Sequence, residues 1–238
     1  MNTPDKLAVL IDADNAQASV LVELLAEISK YGNATVRRAY GDWTTQNLVG
    51  WKESLHNHAI QPVQQFRFTV GKNATDSALI IDAMDLLHGG SVDGFCLVSS
   101  DSDFTRLATR IRESGRAVYG FGEKKTPRPF VAACDKFVFT EILRPISKGA
   151  EPATVASDEQ LQPALTAAID AAARDDRWAA LSAVGGLIMK ANPSFDSRNY
   201  GYQKLGELVR AQPYLETKSV PMGDGSPNVH IFVRRKNG

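Results

Sequence analysis

The sequence has few cysteines and no long apolar runs, and each shortage excludes a class of protein. Only two of its 238 residues are cysteines. Because they form no C-x-x-C or Cys/His cluster, a disulfide framework and a zinc site are both disfavoured. The longest apolar runs, such as residues 7–11, are far shorter than the ~20 residues that span a bilayer. The N-terminus shows no basic stretch followed by an apolar segment, so we expect a cytoplasmic protein without membrane contacts.

The formal net charge of the chain is zero, which excludes a strongly basic or acidic protein but hides a mild asymmetry. Lys and Arg outnumber Asp and Glu in the C-terminal third. In the N-terminal part, basic residues slightly outnumber acidic ones once four clustered aspartates are left out. Such a balance suits a polyanionic partner, although alone it is a weak sign of nucleic-acid binding.

Apolar periodicity divides the chain into two predicted domains joined by a linker. Residues 1–145 alternate strands and helices, which predicts an α/β domain with a mostly parallel sheet and right-handed crossovers. Residues 146–159 are rich in Pro, Ser, Ala and Gly without apolar period, as expected of a linker. Residues 160–238 contain three predicted helices followed by a hairpin, which indicates a small winged-helix domain. The predicted strands are 7–11, 35–40, 60–68, 94–98, 117–121, 137–139, 215–220 and 228–234, and the predicted helices are 19–31, 48–58, 75–88, 103–114, 127–134, 161–172, 181–190 and 202–211.

Aspartates follow two predicted strands at the points where these strands end. Asp12 and Asp14 come directly after the first strand, and Asp101 and Asp103 come after the strand 94–98. Ligands of an open parallel sheet bind beyond the carboxyl ends of its strands, so both pairs should meet in one crevice. A helical wheel places Asp76 on the apolar stripe of helix 75–88, where its carboxylate points toward the same edge.

Crowded carboxylates repel one another, and a divalent cation removes that penalty. No His or Cys lies in these stretches, and Mg²⁺ and Mn²⁺ prefer oxygen ligands. We therefore predict that Asp12, Asp76, Asp101 and Asp103 are the metal ligands and catalytic residues. The expected chemistry is metal-dependent hydrolysis of a phosphodiester.

Five neighbouring polar residues are candidates for contacts with the substrate or for support of the ligands: Asp14, Asn15, Lys72, Ser99 and Ser100. Simpler interpretations compete with these roles. An aspartate at a strand-to-helix junction is often only an N-cap, which applies to Asp103 and Asp14 and also to Asp76. Asn15 is also placed to start the following helix, and Lys72 is also typical of a solvated loop lysine.

Three stretches of the first domain together resemble the NYN family in its LabA-like branch, which belongs to the PIN-like nucleases. They are LIDADN at 10–15, GKNATD at 71–76 with Asp82 beyond it, and SSDSDF at 99–104. The resemblance covers residues 5–143. It implies a PIN-like three-layer α/β/α fold and a ribonuclease with a Mg²⁺ or Mn²⁺ site formed by Asp12, Asp76, Asp101 and Asp103. Ser100 stands where such proteins often have glycine, and Asp82 matches the pattern although the wheel predicts a solvated position for it.

The stretches LSAVG at 181–185 and YGYQKLGEL at 200–208 resemble the LOTUS domain, also called OST-HTH. The resemblance implies a winged-helix module that binds RNA or, in some animal proteins, a helicase partner. Candidate RNA contacts are Arg198, Tyr202, Lys204 and Arg210, with the alternative that Tyr202 belongs to the core and that the cations are solvated.

Three functions remain in competition at this point. The first is a metal-dependent ribonuclease that is targeted to RNA by its C-terminal module. The second is an RNA-binding or regulatory protein whose acidic site is inert. The third is a phosphatase, because Asp12-Ala13-Asp14 resembles the nucleophile and acid pair of the HAD-like family, but that mechanism gives no role to Asp76.

Overall fold

The structure is a computed structural model, and it describes residues 5–66, 74–144, 158–221 and 229–236. The chain divides into two compact units, Met1–Pro145 and Ile146–Gly238, which are described separately. None of the helices in the described ranges has the length and apolar character of a membrane span.

The first unit alternates strands and helices. In chain order its elements are β1 (Lys6–Asp12), α1 (Leu21–Ile28), β2 (Asn33–Gly41), α2 (Trp51–Asn57), β3 (Gln61–Gln64), α3 (Ala74–Gly89), β4 (Gly94–Val98), α4 (Thr105–Glu113), β5 (Ala117–Gly122), α5 (Arg128–Ala133) and β6 (Lys136–Phe139).

The six strands form one parallel sheet in the order β3-β2-β1-β4-β5-β6. Strand β1 is buried on both faces, as expected of a central parallel strand. Leu7, Val9 and Ile11 contact the core on the side of α1 and α2, whereas Ala8 and Leu10 contact the core beneath α3, α4 and α5. The unit is therefore a three-layer α/β/α sandwich, and the predicted PIN-like fold class is confirmed.

Helix α4 shows how the sequence fixes a helix on this sheet. Leu107, Ala108 and Ile111 recur at helical spacing and are buried. Gly115 follows in the left-handed region with φ of 75°, and its N–H donates to the carbonyl of Arg112 at 2.9 Å. This glycine cap ends the helix and leaves the chain free to enter β5.

The second unit consists of three helices and a three-stranded antiparallel sheet, which is the predicted winged-helix arrangement. Its elements are α6 (Asp158–Ala172), β7 (Ala179–Ala180), α7 (Leu181–Ala191), α8 (Leu205–Arg210), β8 (Leu215–Pro221) and β9 (Val229–Arg235). The sheet order is β7-β9-β8, and the core between helices and sheet includes Leu165, Ile169, Val184, Leu208 and Val233.

Several predicted helices begin later than the periodicity indicates. The helix predicted at 19–31 is a 3₁₀ turn, Ala18–Val20, followed by α1. The helix predicted at 103–114 likewise begins with the 3₁₀ turn Ser102–Phe104. The N–H groups in the first turn of a helix have no helical carbonyl four residues earlier to bond. Bonds to the carbonyl three residues earlier form there instead, which gives a 3₁₀ turn.

Two features of the second unit differ from the prediction, and one strand of the first unit is shorter. The helix predicted at 202–211 is restricted to α8, preceded by the 3₁₀ turn Ser197–Tyr200. Strand β7 was missed because two residues show no period; it exists only through its pairing with β9. The strand predicted at 60–68 is β3, Gln61–Gln64, and residues 67 and 68 lie outside the described ranges.

Candidate metal centre

The sheet order brings β1 and β4 side by side at the point where the topology reverses direction. Ile11 of β1 pairs in register with Val98 of β4, so the residues after both strands emerge at the same edge. Asp12 is the last residue of β1, and Asp101 lies three residues beyond β4. The crevice outside such a switch point is the usual ligand site of open α/β sheets.

Asp12 is fully buried, with 0% of its surface exposed. Its Oδ2 accepts hydrogen bonds from the Asn15 amide at 2.8 Å and from the Ser99 hydroxyl at 2.7 Å. Its Oδ1 is buried without a hydrogen-bond partner among the described residues. A buried carboxylate oxygen is costly to leave unsatisfied, and a bound cation or an ordered water would supply the missing partner.

Ser99 connects the two acidic strand ends. Its hydroxyl donates to Asp12 and accepts a hydrogen bond from the backbone N–H of Asp101 at 3.0 Å. Gly122 of β5 packs against the same residue, since a Cβ on Gly122 would lie 2.5 Å from the Ser99 carbonyl oxygen. The glycine therefore allows the close approach that keeps Ser99 between Asp12 and Asp101.

Asp101 caps the turn that carries Asp103. Its Oδ1 accepts the backbone N–H of Asp103 at 2.9 Å, which makes Asp101 the N-cap of the 3₁₀ turn Ser102–Phe104. The simpler interpretation of Asp103 as an N-cap therefore applies to Asp101 instead. A cap of this kind uses one carboxylate oxygen, so Asp101 retains the capacity to bind an ion.

Asp76 reaches the site because the start of α3 is tied to the end of β1. Thr75 is buried, with 6% of its surface exposed, and its hydroxyl donates to Asp14 Oδ2 at 3.1 Å. Asp76 is the next residue and lies in the first turn of α3. Asp14 thus supports the site by positioning α3. No sequence pattern indicated this role of Thr75, apart from its position beside Asp76.

Three of the four predicted ligands meet: Asp76, Asp101 and Asp103 each place a carboxylate oxygen within 4.8 Å of the others. In an octahedral Mg²⁺ site, adjacent oxygen ligands lie about 3 Å apart and opposite ones about 4.2 Å apart, so these three carboxylates are close enough to share one ion directly after side-chain rotation, or through its bound waters. Asp12 is not a member of this group of three, but its buried, unpartnered Oδ1 makes it the candidate for a fourth oxygen ligand.

Burial and neighbouring negative charges raise the pKa of Asp76 and Asp12. Burial raises the pKa of Asp76 from 3.8 to about 6, and the charges of Asp12, Asp101 and Asp103 add to the rise. Burial also raises the pKa of Asp12, although the hydrogen bonds from Ser99 and Asn15 partly oppose the rise. Both shifts express the penalty that a divalent cation would relieve.

The remaining predicted neighbours take different positions. Asn15 lies in a turn before the 3₁₀ turn Ala18–Val20, so it does not start a helix; its amide orients Asp12. Ser100 accepts the backbone N–H of Glu123 at 2.8 Å, which attaches the segment after β5 to the loop after β4. Lys72 lies outside the described residues.

Asp82 corrects a prediction. The wheel predicted a solvated side chain, but Asp82 Oδ2 accepts hydrogen bonds from the Arg38 guanidinium and the Tyr40 hydroxyl, both at 2.8 Å. Its side chain is 30% exposed. The wheel considered α3 alone, whereas the partners come from β2 beneath it. Asp82 therefore links α3 to the sheet, whereas Asp85, which the wheel places on the same side of the helix, is exposed.

The candidate RNA contacts of the second unit fall into two groups. The Arg198 guanidinium is held by Asp196, with its Nε and one terminal nitrogen at 3.0 and 2.7 Å from the two carboxylate oxygens. Tyr202 is half-buried and packs against the core. Lys204 and Arg210 are exposed at the two ends of α8, so they are the more accessible cations.

Comparison with known protein families agrees with both units. The model of the NYN domain matches residues 6–143. The chain belongs to the NYN family. The model of the OST-HTH/LOTUS domain matches residues 156–227, as the resemblance predicted. An NYN domain followed by a LOTUS domain supports a nuclease or RNA-binding role.

Three solved structures are similar to parts of this NYN protein. A crystal structure of a protein of unknown function from Vibrio parahaemolyticus is 18% identical, covers 58% of this chain and 93% of its own, and has a TM-score of 0.49. A solution NMR structure of an uncharacterized protein from Nitrosomonas europaea is 32% identical, covers 40% and 87%, and has a TM-score of 0.31. Another, from Chromobacterium violaceum, is 38% identical, covers 34% and 86%, and has a TM-score of 0.28. No curated protein matches the chain significantly.

Proposed function

We propose that this NYN-family protein is an RNA endonuclease that depends on Mg²⁺ or Mn²⁺. The observation that carries the proposal is the meeting of the Asp76, Asp101 and Asp103 carboxylates within 4.8 Å at the switch point of a parallel sheet. The unpartnered Oδ1 of buried Asp12 adds a second, independent sign of a cation. Oxygen donors without His or Cys fit Mg²⁺ or Mn²⁺ better than zinc.

In this proposal Asp76, Asp101 and Asp103 hold the ion, and Asp12 supplies a further oxygen. When bound, such an ion activates water as a nucleophile and stabilises the leaving oxygen of a phosphodiester. The protein keeps the ligands in place before the ion arrives: Ser99 fixes Asp12 relative to Asp101. The pKa of about 6 keeps Asp76 mostly ionised at pH 7, so this ligand is charged at neutral pH.

The second part of the proposal concerns the LOTUS domain as an RNA-binding module. We place the nuclease domain at 1–145, the linker at 146–159 and the LOTUS domain at 160–238. When one domain binds RNA, a linker of that length holds the other domain near the same RNA at an effective concentration of roughly millimolar. Lys204 and Arg210 are the proposed phosphate contacts because both are exposed, whereas Arg198 is held by Asp196.

The phosphatase alternative is not supported by the position of Asp12. A nucleophilic aspartate must reach a phosphorus atom, but Asp12 is 0% exposed and its Oδ2 already accepts two hydrogen bonds. The alternative of an RNA-binding protein with an inert acidic site is an outcome of the following experiment.

The test compares Asp101→Asn, Asp12→Asn and the control Asp85→Asn in cleavage of single-stranded and structured RNA with Mn²⁺ or Mg²⁺. We expect losses of at least about 100-fold for the first two variants, since removal of one electrostatic group at a reacting centre costs about 10²–10³ in rate. Asp85→Asn should cleave like the wild type, because Asp85 is exposed on α3. Undiminished cleavage by both site variants would refute the proposal. Tight RNA binding by the wild type without cleavage in either metal would favour the inert site.

A further inference from the structure

A groove continues from the acidic cluster along the outside of the NYN domain, between α3 and α4. Its volume is about 370 Å³, and it begins at Asp103. Ile80 and Met84 line it from α3; the lining from α4 comprises Arg106, Leu107, Thr109, Arg110 and Glu113. The groove is therefore continuous with the candidate metal centre.

Two arginines of α4 line this groove at successive helical turns. Arg106 and Arg110 are both exposed, and a separation of four residues places them about 6 Å apart along the helix. Arg106 has no ion-pair partner among the described residues, and Arg110 contacts Glu113 only at 3.9 Å. An exposed pair at this distance contributes little to stability, so both guanidinium groups are available to an anion.

The other arginines near α4 are engaged differently. The Arg112 side chain lies 3.1 Å from Asp135 and donates to the carbonyls of Ala132 and Ala133 at 3.3 Å. Arg116 lies 3.3 Å from Asp93. Arg112 and Arg116 thus hold elements of the fold together, whereas the arginines of the groove do not.

The wall of the groove opposite the arginines is apolar. Ile80 and Met84 are half-buried and pack at the edge of the core beneath α3. The thioether of Met84 adapts to planar partners. A row of cations facing an apolar wall suits a strand with phosphates on one side and bases on the other.

We propose that the groove between α3 and α4 binds the single RNA strand that adjoins the scissile phosphate, with Arg106 and Arg110 on neighbouring phosphates. The inference rests on the proposed function, because it assumes that RNA reaches the acidic cluster at Asp103. The two acids of the lining do not oppose this: Asp103 belongs to the proposed ion site, and Glu113 lies at the far end beside Arg110.

The test measures binding of a single-stranded RNA oligomer to the full chain in Ca²⁺, in which we expect binding without cleavage, over a range of salt concentrations. Arg106→Gln and Arg110→Gln are compared with Lys52→Gln, which removes the same charge from an exposed position on α2. We expect each arginine variant to bind about 3–10-fold more weakly and to lower the slope of log K against log salt by about 0.7, the value for one lost phosphate contact on a single strand. Lys52→Gln should change affinity less than twofold and leave the slope unchanged. RNA should also protect α4 peptides from hydrogen exchange.

The outcomes separate the groove from the catalytic proposal. If both arginine variants behave like Lys52→Gln, the groove proposal is wrong, even if Asp101→Asn abolishes cleavage. If the arginine variants lower the salt slope as expected but Asp101→Asn cleaves RNA normally, the groove binds RNA and the proposed catalytic site is wrong. Binding of polyglutamate that depends on Arg106 and Arg110, with RNA binding unchanged, would assign the groove to an acidic protein segment and overturn the proposal.

Discussion

Replacement of Asp76 by asparagine should stabilise the NYN domain without metal and destabilise it with metal. The rise of the Asp76 pKa from 3.8 to about 6 corresponds to about 3 kcal/mol. Because the side chain is half-exposed, solvent screening reduces this to about 1.5 kcal/mol. Asparagine also loses the favourable interaction of a charge with the N-terminus of α3, about 0.5 kcal/mol. The expected gain of Asp76→Asn in chelator at pH 7.5 is therefore about 1 kcal/mol.

The pH dependence gives the sign of the effect. A folded-state pKa above the unfolded value means that the folded wild type binds more protons between pH 4 and about pH 6. Its stability therefore falls as pH rises through that interval, and the penalty is fully present above it. Asp76→Asn lacks the penalty, so its advantage over the wild type should vanish near pH 4.

Divalent metal should reverse the order of stability. Mg²⁺ at about 100 times its Kd stabilises a folded protein by about 2.7 kcal/mol, and Asp76→Asn should lose most of this gain. The assay is urea unfolding read by pulsed hydrogen exchange of β1 and β4 peptides, which isolates the first unit, with Asp85→Asn as the control on the same helix. If Asp76→Asn is less stable than the wild type in chelator at pH 7.5, or if Asp85→Asn shows the same reversal, the reasoning fails.

Two further predictions concern residues that support the site. Ser99→Ala should lower the free energy of unfolding, measured by chemical denaturation, by about 2 kcal/mol, because Oδ2 of Asp12 and the N–H of Asp101 each lose a hydrogen bond. The exposed control Ser102→Ala should lower it by less than about 0.5 kcal/mol. Equal losses in the two variants would contradict the bridging role of Ser99. Asp82→Asn should lower the free energy of unfolding by about 1 kcal/mol, since it weakens the pairing of α3 with Arg38. The variant should still cleave RNA at a rate within about twofold of the wild type. A folded Asp82→Asn variant that cannot cleave would show that Asp82 belongs to the catalytic site.

The sequence predicted that the aspartates follow the ends of two strands, because a strand and the residue after it belong to one short segment of the chain. A continuous apolar run such as residues 7–11 is typical of a parallel strand that is buried on both faces. The aspartate that follows the run then lies at the carboxyl end of that strand. The helical period placed Asp76 on the inward stripe of α3. The helical period gave the wrong environment for Asp82, because a wheel contains no information about Arg38 and Tyr40 on the strand beneath.

Sequence alone determined the α/β class, the winged-helix unit and the acids at two strand ends, since hydrophobic period and strand termini are properties of short segments. Tertiary structure decided that β1 lies beside β4, that Asp76, Asp101 and Asp103 approach within 4.8 Å, and that Ser99 joins Asp12 to Asp101. It also decided that Arg106 and Arg110 line a groove beginning at Asp103. These relations join residues from segments distant along the chain, and their distances are fixed only when the sheet and its covering helices pack.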